Sequence, residues 1–222
     1  QFAPTLPEQF EDISYGVLNG TNVYFGTPTP GAPNGTNSVA FVSDTKFSHK
    51  RGFYTTNFNL VITTTTSGAT IYYTTNGSPP SLTNGTVYST PIPISKTTVI
   101  RAAAFKTGFE PSNADTQTYL YLDDVIYQST NGVAPPGWPV SWGTNVVNYG
   151  MDPDVVNNPL YSGTLKEDLK TIPTVSLVMK LEDLFDPATG IYANAGQSGR
   201  EWERPASVEL IFPNGDEGFQ VE

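Results

Sequence analysis

The chain has 222 residues, a formal net charge of −10, no cysteine and a single histidine. That charge excludes a phosphate-backbone partner, which needs a basic surface, and the missing thiols exclude disulfides and thiolate metal sites. Gly (20) and Pro (19) are abundant while charged residues make up only 14 %, a balance that favours short strands joined by turns over long helices.

Two compact units fit this length. No apolar run approaches the ~18 residues of a membrane span, and no basic-then-apolar leader pattern opens the sequence. "FEDISYGV" (10–17) and "TNVYFG" (21–26) read as strands around Asn19-Gly20, a favoured hairpin turn. "TPTPGAPNGT" (27–36) follows with three prolines and two glycines, the composition of a stiff extended linker. Residues 1–43 therefore read as an extended arm with no core of its own, as if the chain began with the last strands of another unit.

From residue 44 to 121 the alternation becomes regular. "FYTTNFNLVITT" (53–64) puts Phe58, Leu60 and Ile62 on one face, and "ATIYYTT" (69–75) does the same with Ile71 and Tyr73. In "TVYSTPIPIS" (86–95) Pro91 and Pro93 remove ladder donors, which suits an edge strand. "TTVIRAAAFK" (97–106) and "ADTQTYLYL" (114–122) complete five or six strands at the rhythm of an immunoglobulin-like β-sandwich.

Residues 122–222 read as a mixed α+β region. "GVAPPGWPVSWG" (132–143) is a loop rich in proline and tryptophan. "YSGTLKEDLKTIP" (161–173) is the best helix candidate, with Ser162 or Thr164 as cap, Leu165 and Leu169 on one face, and Pro173 as terminator. "TVSLVMKL" (174–181) and "PASVELIFP" (205–213) read as strands, "EDLF" (182–185) as a helical turn, and "NGDEG" (214–218) as a turn into a final strand with no evident partner.

Three stretches resemble known families. "GATIYYTTNGSPPS" (68–81) with "TVYSTPIPISKTTVIRAAAF" (86–105) resembles the chitobiase/β-hexosaminidase C-terminal-like domain, an immunoglobulin-like module of bacterial surface and secreted proteins. "NYGMDPDVVNNPLYSGTLKEDLKTIPTVSLVM" (148–179) and "GIYANAGQSGREWERPASVELIFPNGDEGFQV" (190–221) resemble the opening portion of the CotH-type kinase family, and "FEDISYG…YFGTPTPGAPN" the end of a lamin-tail-type domain. The CotH resemblance implies nucleotide and metal chemistry carried by residues further along such proteins, so no catalytic residue transfers to this chain. Together the three imply a bacterial, extracellular or cell-surface, multi-module polypeptide.

Candidate chemistry is sparse. Asp152, Asp154 and Asn157 are oxygen donors close enough in sequence for Ca²⁺, and turn or capping roles are the alternative. No other cofactor is indicated. His49 lacks the partners of a catalytic triad and reads as a solvated turn; Lys166 and Lys170 read as ordinary helix-face pairs. Trp138, Trp142 and Trp202 are the candidates for stacking on a carbohydrate; the alternative for Trp138 and Trp142 is a wedge buried against the sandwich, and Arg200 or Arg204 can cover Trp202. Asn19, Asn34, Asn76 and Asn84 each open an Asn-Gly-Ser/Thr triplet, a glycan acceptor or simply a hairpin turn.

These features point to a non-enzymatic structural module and a glycoprotein. Its partners are copies of itself, joined head to tail into a filament by strand complementation, or neighbouring domains of a longer polypeptide. A carbohydrate-binding or spacer module of a CotH-type protein is the alternative.

Overall fold

A computed structural model of the chain describes residues 13–36, 38–128, 134–135, 137–142, 145–146 and 148–222. It is mainly β, as expected, and contains an immunoglobulin-like sandwich.

The first hairpin is β1 (Ser14–Leu18) and β2 (Thr21–Phe25), paired from Ser14↔Phe25 to Leu18↔Thr21. Its turn needs two residues at positive φ, and Asn19 (51°) and Gly20 (82°) supply them. Residues 10–12, the start of the strand expected there, lie outside the described residues. The Pro-rich linker is not a free spacer. It folds back, with the Asn34 amide donating to the Val17 carbonyl (3.2 Å), and Val39 bridges Tyr24 before Phe41 bridges Glu110 of the sandwich. Val42, only 2 % exposed, already belongs to the sandwich core.

The sandwich contains β3 (Lys46–Phe47), β4 (Gly52–Phe53), β5 (Phe58–Leu60), β6 (Ile62–Thr63), β7 (Thr70–Thr74), β8 (Thr86–Val87), β9 (Ile92–Ile94), β10 (Thr98–Phe105) and β11 (Asp115–Leu120). One layer is a five-stranded sheet in the order β4-β11-β10-β7-β8; β3–β6 and β5–β9 are the ladders whose side chains meet it. The single strand expected over 53–64 is divided among three partners, because β4 joins β11, β5 joins β9 and β6 joins β3. Alternation survives the division: Leu60 and Ile62 are buried, and Phe58 packs at their border. They meet Ile71, Ile94, Ile100, Ala102, Ala104 and Tyr119 in one continuous core. Pro93 lies opposite Asn59 in the two-stranded β5–β9 ladder, where a missing donor is tolerated on the open side.

Beyond the sandwich come α1 (Leu122–Ile126), the short ladder β12 (Ser141–Trp142) and β13 (Asn145–Val146), α2 (Pro153–Val156), α3 (Leu165–Asp168), β14 (Thr174–Val178), α4 (Leu181–Phe185), a 3₁₀ turn (Arg200–Trp202), β15 (Ser207–Ile211) and β16 (Phe219–Val221). The helix expected over 161–173 shrinks to the single turn α3 within a run of turns. Its Thr164 hydroxyl bonds Asp168 (2.7 Å) instead of capping a backbone N–H, and no α3 residue is fully buried, so packing does not extend it.

The expectation of an unpartnered final strand is corrected. β16 pairs antiparallel with β15, which pairs with β14, and the resulting three-stranded sheet lies against the outer face of β10 and β11. That second cover explains why Ile100–Ala104 of β10 is buried throughout: one face looks into the sandwich core, the other meets the C-terminal region.

Candidate functional site

The junction between the two units is built from polar side chains. Pairing of Arg101 with Thr74 and Thr116 puts these three on the face of the sheet opposite Ile100 and Ala102, and Thr118 lies on that same face across from Val99. The C-terminal sheet answers with Ser176, Glu209 and Gln220, which share one face because Ser176↔Glu209 and Glu209↔Gln220 are in register.

Glu209 is fully buried. Its carboxylate accepts the Thr118 backbone N–H (3.1 Å) and a very short bond from the Thr118 hydroxyl, and the Arg51 Nε stands 3.4 Å away. Ser176 Oγ and Thr118 Oγ1 are 2.8 Å apart and share a hydrogen bond. Burial pushes the Glu209 carboxyl above its ordinary range, and the bonds from Thr118 and the charge of Arg51 only partly oppose it. Arg101, 2 % exposed, donates one guanidinium nitrogen to the Gly77 carbonyl (3.0 Å) and another to the Glu222 carboxylate (2.5 Å). Gln220 accepts the Thr116 N–H and donates to the Ala114 carbonyl, both at 3.3 Å. Arg101 Nε, Thr116 Oγ1 and Ser207 Oγ are buried without a hydrogen-bond partner among the described residues.

The Asn76-Gly77 turn of the hairpin at 68–81 belongs to the same junction. Gly77 sits at φ +80°, and a Cβ there would collide with the Met179 carbonyl oxygen, so only glycine permits this approach. Beside it lies a polar cleft of about 670 Å³ between Asn76, Ser78 and Asn84 of the sandwich and Lys180, Leu181 and Glu182 at the start of α4.

Asp115 faces the other way, towards the sandwich margin. Burial and the neighbouring Asp44 raise its carboxyl to about 6, against the bond that the Thr45 hydroxyl donates to it.

The residues singled out in the sequence are dispersed. Asp152 caps α2, accepting the Asp154 N–H at 2.9 Å, and Asn157 closes the same helix with its backbone N–H on the Pro153 carbonyl. Among the described residues no group of three or more His, Cys, Asp or Glu is placed to hold a metal ion. Trp138, 37 % exposed, meets Tyr149 and Phe185 edge-on, each with ring centroids 5.4 Å apart. The Trp142 side chain lies outside what is described. Trp202 is half-buried under the Arg204 guanidinium, 5.5 Å from its ring. His49 is no free turn residue: it stacks on Phe58 at 4.0 Å. Lys166 pairs with Asp123 of α1 (2.6 Å) and Lys170 with Glu167 (2.8 Å).

All four candidate glycosylation asparagines are exposed. Asn76 accepts from the Ser78 N–H and hydroxyl, while the Asn84 amide donates to Ser78 Oγ (2.9 Å) and the Pro79 carbonyl (2.7 Å).

The junction was missed from the sequence, although one signal was there. A charged residue interrupts each apolar strand, Arg101 in "VIRAAAF" and Glu209 in "SVELI", and such a residue requires a partner once its face is buried. Chemically the junction holds two layers in place. Its carboxylates are occupied by donors.

No curated protein and no solved structure matches the chain. The resemblances of the flanking segments to lamin-tail and CotH-type proteins rest on their motifs alone. The sandwich is the exception: residues 49–118, running from just before β4 into β11, match the family model of the chitobiase/beta-hexosaminidase C-terminal domain, a non-catalytic immunoglobulin-like fold.

Proposed function

We propose that this chain is a non-catalytic structural module of a bacterial extracellular or cell-surface polypeptide, in which the sandwich and the C-terminal sheet act as one rigid strut. The observation that carries this reading is the Glu209–Thr118–Arg51 group. A fully buried carboxylate with paired donors tolerates no sliding between the layers that enclose it. Arg101 adds a second tie, joining the Gly77 turn to Glu222 at the far end of the C-terminal sheet. A strut of this kind spaces or presents whatever is attached to it. The exposed Asn-Gly-Ser/Thr triplets support placement outside the cell and glycan attachment. Head-to-tail assembly by strand complementation belongs to the same reading, and its route is the outer edge of β14 or β16.

Calorimetry on the whole chain tests the proposal. A rigid strut melts in one cooperative transition, unmoved by nucleotide. Two independent transitions in the unmodified protein, or stabilisation by ATP and Mg²⁺, would defeat it.

A further inference from the structure

Three buried polar atoms of the junction stand outside its network of pairs. Arg101 Nε, Thr116 Oγ1 and Ser207 Oγ have no hydrogen-bond partner among the described residues, although Thr116 and Ser207 are fully buried and Arg101 is 2 % exposed. A buried polar group without a partner has given up its hydration for nothing, and native structures rarely leave several of them together.

Strand register brings the three to one place. Arg101 and Thr116 are direct cross-strand partners on the sandwich face that meets the C-terminal sheet. On the opposing sheet Ser207 and Glu209 lie two residues apart on β15 and so point the same way. The register that pairs Glu209 with Gln220 and Val208 with Val221 runs on to set Ser207 beside Glu222. Ser207 is therefore flanked by Glu209, which is bonded to Thr118, and by Glu222, which is bonded to Arg101. Gln220, the neighbour of Glu209, accepts the Thr116 N–H. These bonds ring the stretch of sandwich that carries Thr116 and Arg101, and the Ser207 hydroxyl faces into that ring.

We propose that Arg101 Nε, Thr116 Oγ1 and Ser207 Oγ form the binding site of a single water molecule, a structural ligand shared by the two units. The chemistry of the three atoms selects it. An arginine Nε–H can only donate, so the occupant must accept, while hydroxyls take either role. The carboxylates of Glu209 and Glu222 are matched by the guanidiniums of Arg51 and Arg101, so the surroundings recruit no ion. Water accepts from Nε and donates to both hydroxyl oxygens, and three bonds are the ordinary complement of an internal water. It is a tie that joins β10, β11 and β15 through one point.

This inference goes beyond the strut reading and fails separately from it: the number of melting transitions reports the strut, and the hydroxyl variants report the water. The experiment uses the whole chain with Thr116→Val, Ser207→Ala and the double variant, read by water ¹⁷O relaxation dispersion and by urea unfolding. The parent holds one more long-lived water than either single variant, and Thr116→Ser, which keeps the hydroxyl, matches the parent. Each of Thr116→Val and Ser207→Ala raises the unfolding constant roughly tenfold. Once one of them has expelled the water, the other hydroxyl has no bond left to lose. The double variant is then little worse than a single one, a coupling of about tenfold between side chains that share no direct bond. Single variants as stable as the parent, or more stable, overturn the proposal, because replacing truly unpaired hydroxyls by apolar groups relieves a penalty. Strictly additive losses or an unchanged number of long-lived waters overturn it as well, and so does a parent stabilised by chloride over fluoride at fixed ionic strength, which would make the occupant a halide.

Discussion

Replacing Glu209 by alanine tests the junction directly. The substitution removes the acceptor of the Thr118 N–H and of the Thr118 hydroxyl, and the ion partner of Arg51, all inside a site with no exposure at Glu209. Deleting one partner of a fully buried pair costs about 3–5 kcal/mol, because the other partner stays desolvated. Here the Arg51 side chain keeps 17 % exposure and so recovers some hydration, and the raised carboxyl pKa shows that burying Glu209 was itself unfavourable. Both effects place the loss near the lower end, about 3 kcal/mol. Glutamine preserves the shape and one accepting oxygen, and its loss is about 1 kcal/mol. For a chain of this size each kcal/mol lowers the melting temperature by roughly 2–4 °C. Urea titration with calorimetry reads both variants, and Glu209→Ala also splits the single transition as the C-terminal sheet releases from the sandwich. The reasoning is refuted if Glu209→Ala lies within about 0.5 kcal/mol of the parent, the range of ordinary surface changes, or if Gln is as damaging as Ala.

Other consequences follow from the same structure. Asp115, raised from 3.8 to about 6, binds its proton more tightly folded than unfolded, so the folded chain holds the excess proton in that interval and stability falls as pH rises through it. Glu209, also raised, adds to the same slope above its unfolded value of 4.5. Asp115→Asn removes the Asp115 share, on the order of 2 kcal/mol across the window, and melting temperatures at a series of pH values measure it. Gly77→Ala forces a Cβ into the Met179 carbonyl at positive φ; it destabilises by more than about 1 kcal/mol and, in limited proteolysis, exposes the segment joining the two units. Leu60→Ala opens a cavity at the centre of the sandwich and costs about 2–5 kcal/mol in denaturant unfolding. Trp138→Ala breaks the edge-on contacts with Tyr149 and Phe185 and lowers stability by roughly 1–3 kcal/mol, whether or not sugars are present.

Much of this protein was legible because it is written in nearest-neighbour chemistry. A period of two in "NLVI" and "TIYYT" placed Leu60, Ile62 and Ile71 in a core, since a strand can only turn alternate side chains to one side. Asn19-Gly20 fixed a hairpin because few other pairs adopt its dihedral angles cheaply. Tertiary structure alone decided which strand meets which: the division of 53–64 among three partners, the capture of β16 by β15, and the pairing of Thr118 with Glu209 across 91 positions. Alternation in "SVELI" separates two faces but carries no sign saying which of them is buried. The sandwich made that choice: Thr118 and Arg101 on the outer face of β10 and β11 take Glu209 and Glu222 as partners, Val178 and Ile211 are buried beside Glu209, and Val175, Leu177, Phe219 and Val221 are left exposed.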